Sequence, residues 1–454
     1  MSTNILEATL QESEIALARH CMDFALHHGA QRLRITLTKS LMNLTGLLNG
    51  EVDKVALALD RSLQIQLFAD GRFGSFSSNQ LEKEGLERFI LEAISTVRML
   101  EPDPDRDLPA AERLVKNAVT GKELALYDPA CETLTDQRRR EISLSSMLWP
   151  RKAALEKGWT LISEEGEYSD SVFDSLTLDS QGLEARHTET SFEIGYESTV
   201  EDPEGNHFSS YWWDASPTLA QLRWQDCAEK ACLRAAAQIG PKGIESGKYT
   251  LIVDSECASK LLSPLLNALG GSSLQQKNSF LMDSLGKQVF PENLTLWDRP
   301  LAPGQTGSRL FDSEGVATRE MPVIEKGVVK SYFLNTCMAR KMQMAPTIED
   351  CSRAVLSPVG GIKTREELLA KVRDGILVTG FNGGNSHSAT GNFSYGVEGF
   401  LVRDGKIDHP VREILITGNF LSLWGNLVAT ADDARPCMSR LIPSLAFKDV
   451  DVSA

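Results

Sequence analysis

The seven histidines indicate where metal-dependent or general-base chemistry could occur, because imidazole binds metals and exchanges protons near neutral pH. They stand at positions 20, 27, 28, 187, 207, 387 and 409, and residues 208–386 contain none. No two share a helix with an intervening acid at metal-ligand spacing. The first three lie near the end of a predicted helix, where the helix dipole favours a cation. His387 lies in a Gly/Ser/Asn-rich loop, where a solvated side chain is the simpler interpretation and ligand contact the alternative.

Other motifs that carry chemistry are missing. The sequence has no G-x-x-x-x-G-K-[ST], no G-x-S-x-G and no H-E-x-x-H. The glycine-rich stretch 380–399 does not follow the strand-to-helix pattern of a dinucleotide loop and is typical of hairpin turns. Ser394 and Cys437 are the candidate nucleophiles, but no histidine is tied to either by spacing. The eight cysteines form no C-x-x-C pair, which predicts reduced thiols without a disulfide framework or structural zinc.

Two similar groups of elements are predicted in the first 240 residues. Residues 11–28 and 81–100 have the apolar spacing of helices. Four strands with alternating apolar residues are predicted between them, around Leu33–Leu37, Val55–Leu59, Leu63–Leu67 and Phe73–Phe76. A linker rich in proline and acids follows at 101–109. The middle third repeats this order, which predicts a duplicated α-β4-α unit.

The last part of the chain differs in character. A buried strand at Tyr249–Val253 leads into a predicted helix at Ser255–Leu269, and many short strands separated by glycines follow. The predicted fold class is α+β, with N-terminal antiparallel sheets flanked by helices and a larger, mostly β C-terminal domain. We expect domains at residues 1–110, 111–240 and 241–454.

Charge and hydropathy exclude several classes of protein. The net charge is −15 and the pI about 5.1, whereas phosphate-mediated DNA binding requires a concentrated basic surface. Arg138–Arg140 is interpreted as a solvated helix face. No apolar run reaches the roughly 18 residues that a membrane-spanning helix needs. The N-terminus has no signal-peptide pattern, so we expect a cytoplasmic protein that binds neither nucleic acid nor membrane.

Several segments of the last 200 residues resemble the TldD/PmbA family, historically named as modulators of DNA gyrase. They are Phe280–Gln288 (FLMDSLGKQ), Phe311–Val316 (FDSEGV), Gly391–Phe400 (GNFSYGVEGF), Asp404–Val411 (DGKIDHPV) and Ile416–Asn419 (ITGN). The resemblance implies a peptidase that acts on short or unfolded peptides inside a dimeric chamber. In active members a helix after a buried strand carries H-E-x-x-x-H, and its two histidines hold the metal with a C-terminal cysteine. The glutamate activates a water, whose pKa the metal lowers.

This sequence departs from the family at that helix. Ser263 and Pro264 stand where the first histidine and the glutamate belong, and Ala268 stands at the second histidine. A shift of register restores nothing, because no histidine lies nearby. Cys437 falls near the family's metal cysteine, but one thiolate without two imidazoles is no catalytic zinc site. We therefore expect no catalytic residue, metal ligand or cofactor in this chain.

The pattern resembles the PmbA/TldE branch, which implies a non-catalytic subunit that completes a complex with a zinc-bearing TldD-like peptidase. Such a subunit would shape the chamber and present extended peptide, and the chain alone would form a homodimer. The glycine-rich strand offers backbone for pairing with peptide. The peptide-contact candidates are Gly391, Asn392, Phe393, Ser394 and Gly396.

Two other functions remain open. One is a free-standing peptidase that uses Ser394 or Cys437 as nucleophile. The other is a peptide-binding or regulatory homodimer without chemistry, including a role linked to DNA gyrase through a protein that itself holds DNA.

Overall fold

The computed structural model describes residues 7–155 and 157–454. The chain divides into two compact units. Unit 1 is formed by the residues up to Glu201, by Ser209–Cys232 and by Leu301–Thr318, and unit 2 by Asp202–Phe208, Leu233–Pro300 and Arg319–Ala454.

The first 240 residues form five helices and six strands, with short 3₁₀ turns between them. In chain order these are α1 (Glu12–His27), β1 (Arg32–Leu48), β2 (Glu51–Ala69), β3 (Arg72–Ser78), α2 (Lys83–Val97), α3 (Ala130–Thr133), α4 (Asp136–Ser145), β4 (Thr160–Asp179), β5 (Glu184–Glu201), β6 (His207–Ser216) and α5 (Cys227–Ala236). The strands join in one sheet of order β3-β2-β1-β4-β5-β6. The apolar faces of α1 and α2 pack on β1, β2 and β4 around buried leucine, isoleucine and alanine side chains.

Two predictions for this sheet were wrong. Three strands, not four, lie between α1 and α2, because residues 55–67 belong to the single strand β2. Asp60, Arg61 and Ser62 stay in register opposite Ser40, Lys39 and Thr38 of β1, and no glycine or proline turns the chain there. The two predicted sheets are one sheet, in which β1 pairs antiparallel with β4. The predicted domain boundaries near residues 110 and 240 remain predictions, although strands from both sides of the first boundary share this sheet.

Arg138–Arg140 is not uniformly solvated as predicted. Arg139 is 8% exposed, and its Nε and Nη2 atoms donate to Asp170 on β4 at 2.6 and 3.0 Å. Arg138 is exposed and pairs with Glu141 at 3.2 Å. The middle arginine therefore joins α4 to the sheet.

The remaining elements belong to unit 2. They are β7 (Gly247–Val253), α6 (Ser259–Ala268), α7 (Gly271–Gln275), β8 (Leu296–Asp298), β9 (Met321–Glu325), β10 (Val328–Val329), α8 (Thr336–Lys341), β11 (Ala354–Leu356), α9 (Arg365–Val372), β12 (Gly375–Ser386), β13 (Asn392–Arg403), β14 (Lys406–Asn419), α10 (Phe420–Gly425), β15 (Leu427–Thr430) and β16 (Leu445–Ser453). A small sheet has the order β10-β9-β8-β11.

The larger sheet of unit 2 closes into a barrel. Its order is β14-β13-β12-β7-β16-β15, and β14 also pairs with β16 through Leu415↔Ser453 to Thr417↔Asp451. β7 pairs parallel with β12 and antiparallel with β16, so it lies between strands far along the chain. The α+β class with a β-rich C-terminal region is confirmed.

Two further findings concern the described residues. All eight cysteines are free. No described helix is long and apolar enough to cross a membrane.

Candidate functional site

Helix α6 follows the buried strand β7 and turns a polar stripe outward. Lys260 and Asn267 are exposed, and Ser263 and Pro264 between them are half-buried. These positions recur every three or four residues, as one face of a helix requires. The leucines at 261, 262, 265 and 266 cover the opposite face and are buried. The helix begins at Ser259, not at Ser255 as predicted, because residues 255–258 form tighter turns, in which the N–H groups of Cys257 and Lys260 donate to carbonyls three residues earlier.

The positions aligned with the family motif do not lie together. Ser263 and Pro264 are neighbours on the outward face, but Ala268 is buried at 3% exposure. Two side chains that are five residues apart on an α-helix, such as Ser263 and Ala268, point in directions that differ by about 140°. The structure therefore brings two of the three positions to one surface and places the third in the core.

Arg440 contacts this face, and sequence reasoning missed it. Its Nη1 atom donates to Ser263 Oγ, whose hydroxyl donates in turn to the Ser259 carbonyl at 2.8 Å. Cys437, three residues earlier, is buried. Because 177 residues separate the two partners of this contact, no local pattern could have indicated it.

The acidic residues near the start of α6 are already paired with arginines. Glu256 accepts from Arg234 at 2.8 Å and from Arg435 at 2.9 Å. Asp254 accepts from Arg365 at 2.7 Å. The pKa of the Glu256 carboxyl is raised, because the effect of its burial outweighs the lowering by Arg234 and Arg435. Neither carboxylate is positioned as an unpaired general base.

Four of the five peptide-contact candidates lie on β13, an inner strand of the barrel, and Gly391 directly precedes it. β13 pairs with β12 on one side and with β14 on the other. The expectation that its backbone offers a free edge was wrong. At Gly399 an added Cβ would lie 1.8 Å from the Leu377 carbonyl oxygen, so the glycine serves close pairing with β12.

The five candidates have different environments. Gly391 has φ +75° and packs against the Phe280 ring, and Phe393 is buried 4.9 Å from the Phe420 ring centroid. Asn392 is exposed, and Ser394 and Gly396 are half-buried. Gly396 faces Asn382 of β12, whose Oδ1 atom would lie 2.3 Å from an added Cβ. Whether these residues contact peptide remains a prediction.

The neighbouring strand β12 does have an open edge. It pairs with β7 only from Ile376 to Val378, whereas its pairing with β13 continues to Ser386. Among the described residues no strand pairs with the other side of residues 379–386, and most of this segment is exposed. Irregular register at Val378/Gly380 and Phe381/Gly383 marks it as bulged. Bulges of this kind are frequent at barrel rims and next to active sites.

The open edge and the outward face of α6 meet at one tyrosine. Lys260 Nζ lies 5.3 Å from the Tyr395 ring centroid. The Phe381 ring of β12 contacts the same tyrosine edge-on at 5.7 Å. The start of α6 also adjoins the last paired residue of β12, since the Val378 carbonyl accepts from Asp254 N at 3.0 Å. One surface of unit 2 thus carries both features.

Comparison with known proteins identifies the family. The model of the PmbA/TldA metallopeptidase C-terminal domain matches residues 246–454, and those of domain 1 and the central domain match 35–97 and 149–239. A crystal structure from Bacteroides thetaiotaomicron, described as a modulator of DNA gyrase, is 37% identical, with a TM-score of 0.93. The alignment covers 98% of this chain and 99% of that one. The chain belongs to the PmbA/TldD metallopeptidase family.

Other PmbA/TldD relatives agree with this result. Metalloprotease PmbA of Escherichia coli O157:H7 is 29% identical over 408 residues, which is 87% of each protein. The crystal structure of TldE from Thermococcus kodakarensis has a TM-score of 0.81 over 96% of this chain and all of its own. At 20% identity the TldE likeness shows a shared fold.

The α6 face does not fit the metal that the name of this family implies. In the described part of the chain no group of three or more His, Cys, Asp or Glu side chains could hold a metal ion. At Ser263 a guanidinium is bound, and a guanidinium has donors only, so it cannot be a ligand. Its fixed positive charge also repels a cation placed beside it.

Ser394 lacks the setting that activates a nucleophile. It makes no side-chain hydrogen bond to a histidine among the described residues, and it stands on β13 between Asn385 and Thr417. Cys437 is a buried thiol at 7% exposure.

Proposed function

We propose that this chain is the non-catalytic subunit of a TldD/TldE-type metallopeptidase complex in the cytoplasm. It associates with a TldD-like subunit that carries the zinc, and it helps to form a chamber for short or unfolded peptides. Without that subunit it forms a homodimer. The observation that carries the proposal is the α6 face, where Ser263 accepts a hydrogen bond from Arg440 in place of a metal-binding group.

The chain's part in this proposal is to hold extended peptide. A strand edge with unpaired N–H and C=O groups binds peptide backbone with little regard to sequence. The edge of β12 over residues 379–386 supports this role, and Asn392, Ser394 and Gly396 stand on the strand beside it. The glycines at 380, 383 and 384 keep this part of the edge free of bulky side chains.

Hydrolysis by the separated and mixed subunits tests the proposal. Alone, this chain should leave an unfolded peptide intact, because none of its groups activates water. Mixed with a zinc-loaded TldD-like subunit, it should support cleavage that a chelator abolishes. Ser394→Ala and Cys437→Ala should leave the cleavage by the mixture largely unchanged, since neither residue acts as nucleophile.

A variant on β13, beside the β12 edge, tests the peptide-holding role. Gly396→Trp displaces Asn382 and should reduce cleavage by the mixture about tenfold or more, because a shift of atoms by about 1 Å is enough for such losses. Gly243→Trp is the control, since an added Cβ at Gly243 meets nothing within 4 Å. Cleavage by the lone chain that Ser394→Ala or Cys437→Ala removes would establish the free-standing peptidase. An inert mixture with a folded, zinc-loaded partner would favour the binding or regulatory homodimer.

A further inference from the structure

The outward face of α6 has donors and positive charge, but no acid of its own. Lys260, Ser263 and Asn267 follow one another at helical spacing, and Arg440 adds a guanidinium through its bond to Ser263. An ammonium group offers three donors and no acceptor. In the described part of the chain Lys260 has no ion pair, and its Nζ atom lies over the Tyr395 ring.

The nearest carboxylates along the chain are committed to other partners. Asp254 pairs with Arg365, and Glu256 pairs with Arg234 and Arg435. Neither can neutralise Lys260 without leaving an arginine unpaired. The positive charge of Lys260 is therefore available to an anionic group from outside the chain.

The position of Lys260 indicates where that group would come from. Lys260 contacts Tyr395, and Tyr395 contacts Phe381 in the open-edge segment of β12. A peptide paired with this edge therefore runs beside the outward face of α6. A peptide that carries a carboxylate on this side gains a charge-assisted hydrogen bond, which is stronger than a neutral one.

We propose that Lys260 binds a carboxylate of the peptide that is held at the β12 edge. The inference rests on the proposed function and names the class of peptide that this site prefers. The carboxylate belongs either to the peptide C-terminus or to an acidic side chain near it, and both supply the same two acceptor oxygens.

Binding of three labelled peptides to the full chain, followed by fluorescence polarisation, tests this site. The first is a short, uncharged peptide with a free C-terminus, the second is its C-terminal amide, and the third is an amide with glutamate as its last residue. At low salt the first should bind about tenfold more tightly than the second, which is the worth of one partly exposed charge-assisted bond. Tight binding of the third would assign the site to side-chain carboxylates as well.

Lys260→Met should remove this preference and leave the affinity for the amide unchanged, whereas Lys260→Arg should retain most of it. Lys287→Met is the matched control, because Lys287 is another exposed lysine of unit 2 and its loss changes the net charge equally. Equal binding of all three peptides, or a preference that survives in Lys260→Met, would overturn the carboxylate site alone. Failure of all three peptides to bind would overturn the peptide-holding role and this site with it.

Discussion

Two arginines, one in each unit, have different hydrogen-bond partners and therefore different roles. In unit 1, Arg139 and Asp170 form a closed, bidentate pair with exposures of 8% and 2%. In unit 2, Arg440 donates to the neutral hydroxyl of Ser263 on a half-buried face that also carries Lys260. Arg139 faces a carboxylate in the core, whereas Arg440 faces a neutral hydroxyl at the α6 face. The buried ion pair contributes to structure, whereas the exposed Lys260 leaves a positive charge at the α6 face that favours binding of an anion.

The largest effect is expected in unit 1. Asp170→Ala leaves the buried Arg139 guanidinium with the exposed Asp136 as its remaining carboxylate partner, which should cost about 3 kcal/mol of unfolding free energy. Urea unfolding followed by circular dichroism measures the loss. Arg138→Ala, which removes an exposed pair one residue away, should cost less than about 1 kcal/mol. Equal losses for the two variants would show that the buried pair has no special structural role.

A smaller effect is expected at α6. Arg440→Met removes the hydrogen bond to the half-buried Ser263 hydroxyl, and the loss of this bond should cost about 1 kcal/mol. The matched control is Arg319→Met, which removes an exposed arginine of unit 2 and should change the unfolding free energy by about 0.5 kcal/mol or less. A loss at Arg440 as large as that at Asp170 would contradict the comparison, because the α6 face would then be a structural element too.

The smallest effect concerns a buried carboxyl of unit 1 that is held by backbone donors. Glu164 accepts from Leu148 N at 2.8 Å and from Trp149 N at 2.7 Å, and burial raises its pKa above the usual 4.5. The folded state therefore holds this proton more tightly than the unfolded state. The stabilising contribution is complete below pH 4.5 and is lost as the pH rises through the raised pKa.

Glu164→Gln removes this titration, so the unfolding free energy of the variant should fall less steeply above pH 4.5 than that of the native chain. Unfolding at a series of pH values compares the two slopes. Identical slopes would mean that the pKa of Glu164 is the same in the folded and unfolded states.

The elements of the fold could be predicted where local pattern decides the structure. The apolar spacing of α1 predicts its position to within a few residues, and alternation along β1 predicts where that strand begins, because each element buries one face. The prediction ends β1 at Leu37, whereas the strand continues to Leu48. The polar segment Asp60–Ser62 predicts a break between two strands, and this prediction is wrong. Only its pairing with β1 shows that the strand continues.

The candidate site could be predicted only in part. The absence of the metal-binding histidines can be read directly from the sequence. The predicted positions Ser263 and Pro264 do lie together on the outward face of α6. The partner of Ser263 comes from 177 residues away, and the inner position of β13 depends on how strands pair across the whole barrel. The exposed edge therefore lies on β12, one strand from the predicted one, since glycine content alone does not distinguish an edge from close packing.

The closure of the barrel sets an order of events during synthesis. β16, the last strand, lies between β7 and β15 and also pairs with β14, so Leu445–Ser453 supplies three strand contacts at once. These residues are synthesised after every other strand of the barrel. Until then β7 lacks its antiparallel neighbour, and α6 rests on an unfinished sheet. Contacts this distant along the chain form slowly, so the nascent chain must keep a β7 edge unpaired until β16 has been made.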